Sequence, residues 1–224
     1  IPVEYNAPVD PQRRVMLSST TNEWCTHPDQ LAVVRKFAPI AFDPFSNRHS
    51  LVGAARSIEL PEDSLAIEDW PRDGLNWQNP PYGDELAACA EKIGREAAKG
   101  CESITLVPAR VGTRWWQQYL KPVMWCAWRG RLKFLEPVET LLARHRERTV
   151  KALKAGLCPP PEPKFKMITD TLAEGETATF DAAFCYHGTR LERFADIFGE
   201  HGTIYSEVRR AESTPTSSAV RGER

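Results

Sequence analysis

GLNWQNPPYGDELAACAEKIG, residues 74–94, contains the junction from which the fold is read. Gly74–Trp77 is a short, mostly apolar run of the kind that forms a strand. Leu86, Ala90, Ile93 and Ala97 recur at helical spacing, and Gly100 supplies a stop. Between strand and helix stand Asn79-Pro80-Pro81-Tyr82. A proline lacks the backbone N–H and disfavours the helical region in the residue before it. Two together therefore make a stiff, extended turn, which is either a plain loop or a support for a flat ligand. Asp84 is the expected helix N-cap. Glu91–Arg95 and Lys92–Glu96 are spaced to pair along the helix's exposed face.

The same alternation continues on both sides. In EWCTHPDQLAVVRKFAPI, Thr26 is the expected cap, Pro28 falls in the first turn, and Leu31, Val34 and Phe37 form one face. IAFDPFSN and ARSIEL are candidate strands ending near Asp43-Pro44 and Glu59. ESITLVPAR is a buried-type strand stopped by Pro108. TRWWQQYL reads as helix, and PVMWCAWRGRLKF as a strand turning at Gly130. ETLLARHRERTVKALKAG is a charged helix followed by the connector CPPPEPK, before a further strand, TFDAAFCYHG, and the helix LERFADIFG. Alternating strands and helices predict an α/β fold with a mainly parallel sheet covered on both faces. Ligands of such sheets collect at the carboxyl ends of the strands, where Asp43-Pro44, Glu59, Asn79-Pro80 and Pro108–Arg110 fall.

Residues 1–17 are expected to be a loose arm, 18–205 the folded domain with an insertion at about 136–175, and 206–224 a tail disordered by composition. The net charge of −1 excludes a polycation, yet basic residues concentrate from Arg129 to Lys166 while SIELPEDSLAIEDWPRDG is acidic. One face meeting phosphate, or a solvated charged helix, accounts for that asymmetry. The six cysteines are scattered, without C-x-x-C or zinc-ligand spacing, so reduced thiols and no metal site are expected. No run is long enough to span a bilayer, and no signal pattern opens the sequence, which points to the cytoplasm.

An exocyclic amine has two N–H donors. The Asn79 side-chain oxygen and the Pro80 carbonyl are acceptors that can hold it. Acceptors aimed at that nitrogen stabilise the charge that develops on it as it attacks an electrophile. Tyr82 can stack on the ring, which is worth about 1–3 kcal/mol per base.

Six stretches in order make the sequence resemble the phage-type DNA N6-adenine methyltransferases: EWCTHPDQL (23–31), FDPFSN (42–47), EDSLAIEDW (62–70), NPPYG (79–83), LVPARVGTRWW (106–116) and GRLKF (130–134). It departs at His27, where Pro is usual, at Phe45, where Cys is common, and at Ser64, where Gly is. The resemblance implies a Rossmann-like methyltransferase fold with an antiparallel last strand. It also implies S-adenosyl-L-methionine as cofactor, double-stranded DNA as substrate, and a monomer. Trp24, Thr26 and Pro28 would border the methionine end of the cofactor, and Asp43, Pro44 and Ser46 would form the loop under it. Glu59 would accept from the ribose hydroxyls and Asp63 from the adenine amine. Asn79, with Pro80, Pro81 and Tyr82, would hold the target amine. A flipped base requires compensating contacts, which Arg110, Arg114, Trp115, Arg129, Arg131 and Lys133 would supply, although a Trp pair at 115–116 is more often core.

Rival readings are methylation of another planar amine (an RNA base, cytosine N4 or a protein glutamine) and a nucleic-acid-binding protein with a decayed site. A dehydrogenase is disfavoured because no G-x-G-x-x-G follows the first strand.

Overall fold

The computed structural model describes residues 24–207. The expected arm, 1–17, and nearly all of the expected tail lie outside them. The helices are α1 (Pro28–Phe37), α2 (Leu86–Ala98), α3 (Val138–Lys154) and α4 (Leu191–Gly199), with a π-helix at Trp115–Leu120. Seven strands form the main sheet, in the order β2-β1-β3-β4-β8-β5-β9. They are β1 (Ile40–Asp43), β2 (Arg56–Ser57), β3 (Leu75–Gln78), β4 (Ser103–Pro108), β5 (Met124–Trp128), β8 (Ala182–His187) and β9 (Gly202–Ser206). The first four are mutually parallel. β8 inserts antiparallel between β4 and β5, so β5 shares the direction of β1–β4, and β9 adds a second antiparallel strand at the edge.

The expected antiparallel strand near the end of the chain is β8. β9 was not anticipated; its residues, GTIYS, form no apolar run, and none of them is buried in the fold. PVMWCAWRGRLKF is corrected more substantially. After Gly130, at φ 76°, the chain leaves the main sheet, and β6 (Lys133–Pro137) pairs antiparallel with β7 (Leu172–Thr177) in a small second sheet. The expected insertion at about 136–175 thus falls within a β6–α3–β7 unit, and α3 buries only Leu141. Reciprocal backbone bonds, Cys25 N to Leu135 O (2.9 Å) and Leu135 N to Cys25 O (2.8 Å), fasten it beside Trp24.

β8 shows how the sheet is covered. Ala182, Phe184 and Tyr186 belong to one apolar cluster with Leu31, Val34 and Phe37 of α1 and Phe194 and Phe198 of α4. Ala183 and Cys185 belong to the opposite cluster, with Leu86, Ala90 and Ile93 of α2 and Trp116 and Leu120 of the π-helix. Alternation of period two thus sends successive side chains into two cores. Each large side chain buried there contributes about 1.5–3 kcal/mol. The π-helix packs close on α2 because Gly94 has no Cβ; one built there would lie 1.9 Å from the Tyr119 carbonyl oxygen.

Two expected caps are corrected. Thr26 does not cap α1, because its hydroxyl is buried and engaged elsewhere; His27 is the N-cap, its Nδ1 accepting from Asp29 N at 3.2 Å. Asp84 does not cap α2 either. The N-cap is Glu85, already helical and without a side-chain bond, and the first turn is closed by Leu86 N donating to Gly83 O.

Candidate active site

A cavity of about 620 Å³ opens at the carboxyl ends of β1 and β3, within the range of small-molecule sites. Its walls come from the loop after β1 (Pro44–Arg48), the segment after β2 (Ile58–Leu65), the Asn79–Tyr82 turn and the first turns of α2. Of the expected cofactor residues, Trp24, Pro44, Ser46, Glu59, Asp63 and Asn79 line it. Thr26, Pro28 and Asp43 are not on its surface. Pro28 opens α1, whereas Thr26 and Asp43 are buried directly behind lining residues. Sequence reasoning did not single out Arg48, Leu60, Glu62, Glu85 or Cys89, which also line the cavity. Position beside a strand-end loop was the only signal they carried.

Asp43 organises the first loop. Its Oδ1 accepts from Phe45 N at 3.1 Å, an Asx turn that substitutes for a glycine-rich bend. Burial, opposed by this bond and assisted by nearby Glu59, pushes its carboxyl up to about 7. The loop is tied down on two sides. Ser46 Oγ donates to Glu59 Oε1 (3.4 Å), and Asn47 Oδ1 accepts from Cys25 Sγ (3.4 Å).

At the turn, the amide of Asn79 is held at both ends. Its Nδ2 donates to Thr26 Oγ1 at 3.3 Å, while its Oδ1 accepts from the Tyr82 hydroxyl at 2.7 Å. Leu106 O lies 3.0 Å from the same hydroxyl, which has one proton to share between them. Burial pushes the Tyr82 phenol well above its usual value, so it stays a donor. Its ring meets Phe180 (5.3 Å), Phe134 (5.9 Å) and Trp24 (6.4 Å) edge to face, and Trp24 stacks on Phe134 at 5.3 Å. Phe134 and Phe180 come from β6 and the segment before β8, far away in sequence. The strand-end argument had no means of finding them.

The wall between β2 and β3 has little regular structure, and α2 holds it from behind. Lys92 Nζ donates to Ile67 O and to Glu68 O (3.1 Å) and pairs with Glu96 Oε1 (2.8 Å). Glu96 Oε2 accepts from Trp70 N (3.0 Å), and Trp70 Nε1 donates to Ser64 O (3.1 Å). Lys92 is 3 % exposed and Glu96 fully buried. The expected solvent-facing Lys92–Glu96 pair is thus an internal clamp on the cavity wall, whereas Glu91 and Arg95 are exposed. Although burial opposes it, bonds from Lys92, Trp70 N and Lys99 hold the Glu96 carboxyl below its usual value.

The three departures from the family pattern each have a structural role. His27 caps α1, and its Nε2 lies 3.6 Å from Glu174 Oε1 on β7. Lys133 (2.7 Å) and Lys166 (2.5 Å) also bind Glu174, and together they lower its carboxyl to about 2. Phe45 packs edge-on against Trp70 at 5.7 Å, and Ser64 presents the carbonyl that Trp70 uses.

The expected DNA-contacting residues lie on different elements. Arg110 is half-buried after β4, and Arg129 is exposed after β5. Arg114 lies on Gln118 and Tyr119 of its own helix (2.8 and 3.1 Å). Arg131 reaches Ala178 O (3.4 Å) and Asp181 (3.8 Å), and Lys133 is engaged by Glu174. Trp115 is half-buried, 5.8 Å from Trp116, which is core. Among the described residues no cluster of His, Cys, Asp or Glu is arranged to hold a metal, and no helix is long and apolar enough to cross a membrane.

A family model described as DNA N-6-adenine-methyltransferase (Dam) matches residues 16–153. The match takes in the cavity, the Asn79–Tyr82 turn and nearly all of α3, and ends before β7. No curated protein and no solved structure matches. As more than half of the sequence is covered, the chain belongs to the DNA N-6-adenine-methyltransferase (Dam) family.

Proposed function

We propose that this Dam-family chain transfers the methyl group of S-adenosyl-L-methionine to the N6 amine of adenine in double-stranded DNA. The observation that carries the reading is the fixed amide of Asn79 in the wall of a carboxylate-rich cavity. Glu59, Glu62, Asp63 and Glu85 give that cavity acceptors for ribose hydroxyls and an adenine amine, and negative charge beside a sulfonium and an ammonium. That chemistry fits this cofactor, which supplies an electrophilic methyl group.

The chain's own residues do the rest. Asn79 Oδ1 and the Pro80 carbonyl accept from the two N–H groups of the target amine and orient its lone pair along the line of attack. They also meet the positive charge that grows on the nitrogen during transfer. The pair Pro80-Pro81 keeps both acceptors in place, so little ordering remains to be done when the base arrives. Tyr82 stacks on the extruded base, and Trp24, Phe134 and Phe180 surround the turn with apolar surface that excludes water. Arg110, Arg114, Arg129, Arg131 and Lys133 would meet phosphates, with Trp115 beside them. In the last two cases an acidic partner is exchanged for phosphate. The β6–α3–β7 unit is part of the DNA-facing side.

The test is methyl transfer from labelled S-adenosylmethionine to unmethylated DNA, comparing the protein with Asn79→Ala and analysing the nucleosides. Label in N6-methyladenine that disappears in the variant is the expected result. Label that goes to RNA or protein instead, or equal label in the variant, would overturn the reading.

A further inference from the structure

Among the described residues that line the cavity, Arg48 is the one cation against four carboxylates. Its position is defined by the loop that carries it. Ser46 faces Glu59, while Asn47, the residue before Arg48, accepts from Cys25 and from His49 N (2.9 Å). Arg48 is set on the Cys25 side of the loop by Glu139, which follows the strand whose Leu135 bridges to Cys25. Its Nε donates to His49 Nε2 at 3.0 Å, and its Nη2 lies 3.7 Å from Glu139 Oε1 in the first turn of α3. The guanidinium thus already faces a carboxylate oxygen beside the cavity, in a pair whose side chains are 64 % and 74 % exposed. Such a pair is weak and exchangeable.

Given the cofactor reading above, on which this inference rests, we propose that Arg48 is the specificity-determining residue for the α-carboxylate of the cofactor's methionine moiety. With ribose hydroxyls on Glu59 and the methyl directed at Asn79, the amino-acid end is left at the Trp24–Arg48 end. There a planar fork of N–H donors matches a carboxylate. The ligand's carboxylate replaces that of Glu139, so the pocket separates its ligand by charge: acids around the nucleoside and the cationic centres, one guanidinium for the anion.

The experiment is calorimetric titration of wild type and Arg48→Met with S-adenosylmethionine and with its decarboxylated form, which lacks only the carboxylate. The expected result is that Arg48→Met weakens S-adenosylmethionine about tenfold. It leaves the decarboxylated ligand unchanged, which also shows that the pocket is intact, and the discrimination shrinks at high salt. Equal weakening of both ligands would make Arg48 a structural part of the loop and overturn the proposal. No change in either, with weaker DNA binding instead, would assign it to phosphate and overturn it too. If wild type binds neither ligand, the cofactor reading itself fails and takes this inference with it.

Discussion

The Tyr82 hydroxyl lies 2.7 Å from Asn79 Oδ1 and 3.0 Å from the Leu106 carbonyl. Before a base arrives, the acceptor proposed for the target amine is thus satisfied by its neighbour. When the amine takes Oδ1, the phenol proton can move to Leu106 O, so neither group is left without a partner. Tyr82→Phe removes this internal substitute but keeps the ring. It is expected to destabilise the fold by about 1 kcal/mol, one net hydrogen bond, and to lower kcat less than about tenfold. Tyr82→Ala, which also removes the stacking surface, should lower it much further. Thermal melts and steady-state methylation rates would show this. Equal rates for the two variants would deny the ring its role.

Thr26 acts on the other end of the amide. Its Oγ1 accepts from Asn79 Nδ2 (3.3 Å), which keeps the oxygen turned to the amine side. Thr26→Val retains the shape and deletes the acceptor. The amide can then rotate and present its NH2 to a donor, a repulsive arrangement. The expected result is kcat reduced roughly tenfold with cofactor KM unchanged, the split of a residue that positions the transition-state contact. Thr26→Ser should restore the rate. A rise in KM alone would place Thr26 in ground-state binding.

The Lys92 clamp predicts a different split. Lys92→Met leaves the buried Glu96 with Trp70 N and Lys99 but without its 2.8 Å partner. Breaking one side of a buried pair costs about 3–5 kcal/mol, and the Ile67 and Glu68 carbonyls lose their donor. The wall carrying Glu62, Asp63 and Leu65 loosens, so the cofactor KM should rise while kcat at saturation holds. Urea unfolding and KM measurement check the two effects. A stability loss with unchanged KM would show that the clamp does not reach the cavity.

How much of this was legible in the sequence depended on distance along the chain. The Asn79–Tyr82 turn, the Asp43-Pro44 loop and the face of α2 are set by neighbours a few residues away, and proline chemistry and helical spacing expose them. Lys92 and Glu96 were read as solvent-facing because charge normally avoids the core. Only the fold supplies the carbonyls of Ile67 and Glu68 that make their burial tolerable. The same holds for Thr26, taken from its capping role by Asn79, and for Phe134 and Phe180. Their place beside Tyr82 depends on the chain leaving the main sheet after Gly130, a change of sheet that no local pattern encodes.

Asp43 makes stability depend on pH in a direction opposite to most carboxylates. Its carboxyl is raised from 3.8 to about 7, chiefly by burial, with Phe45 N opposing and Glu59 adding to the shift. The folded chain therefore binds this proton more tightly than the unfolded chain does. The favourable contribution is complete below about pH 4 and is lost as pH rises through about 7. Asp43→Asn keeps an oxygen for the Phe45 N–H and removes the titration. Between about pH 4 and 8, wild type should lose stability relative to this variant, by at most a few kcal/mol. Near neutrality the ionised Asp43 also repels Glu59 across the loop that supports the cavity. The variant should therefore hold that loop through the same range. Urea unfolding of both proteins across this range decides the matter, and parallel stability curves would mean that Asp43 is ionised throughout, with water reaching it behind the loop.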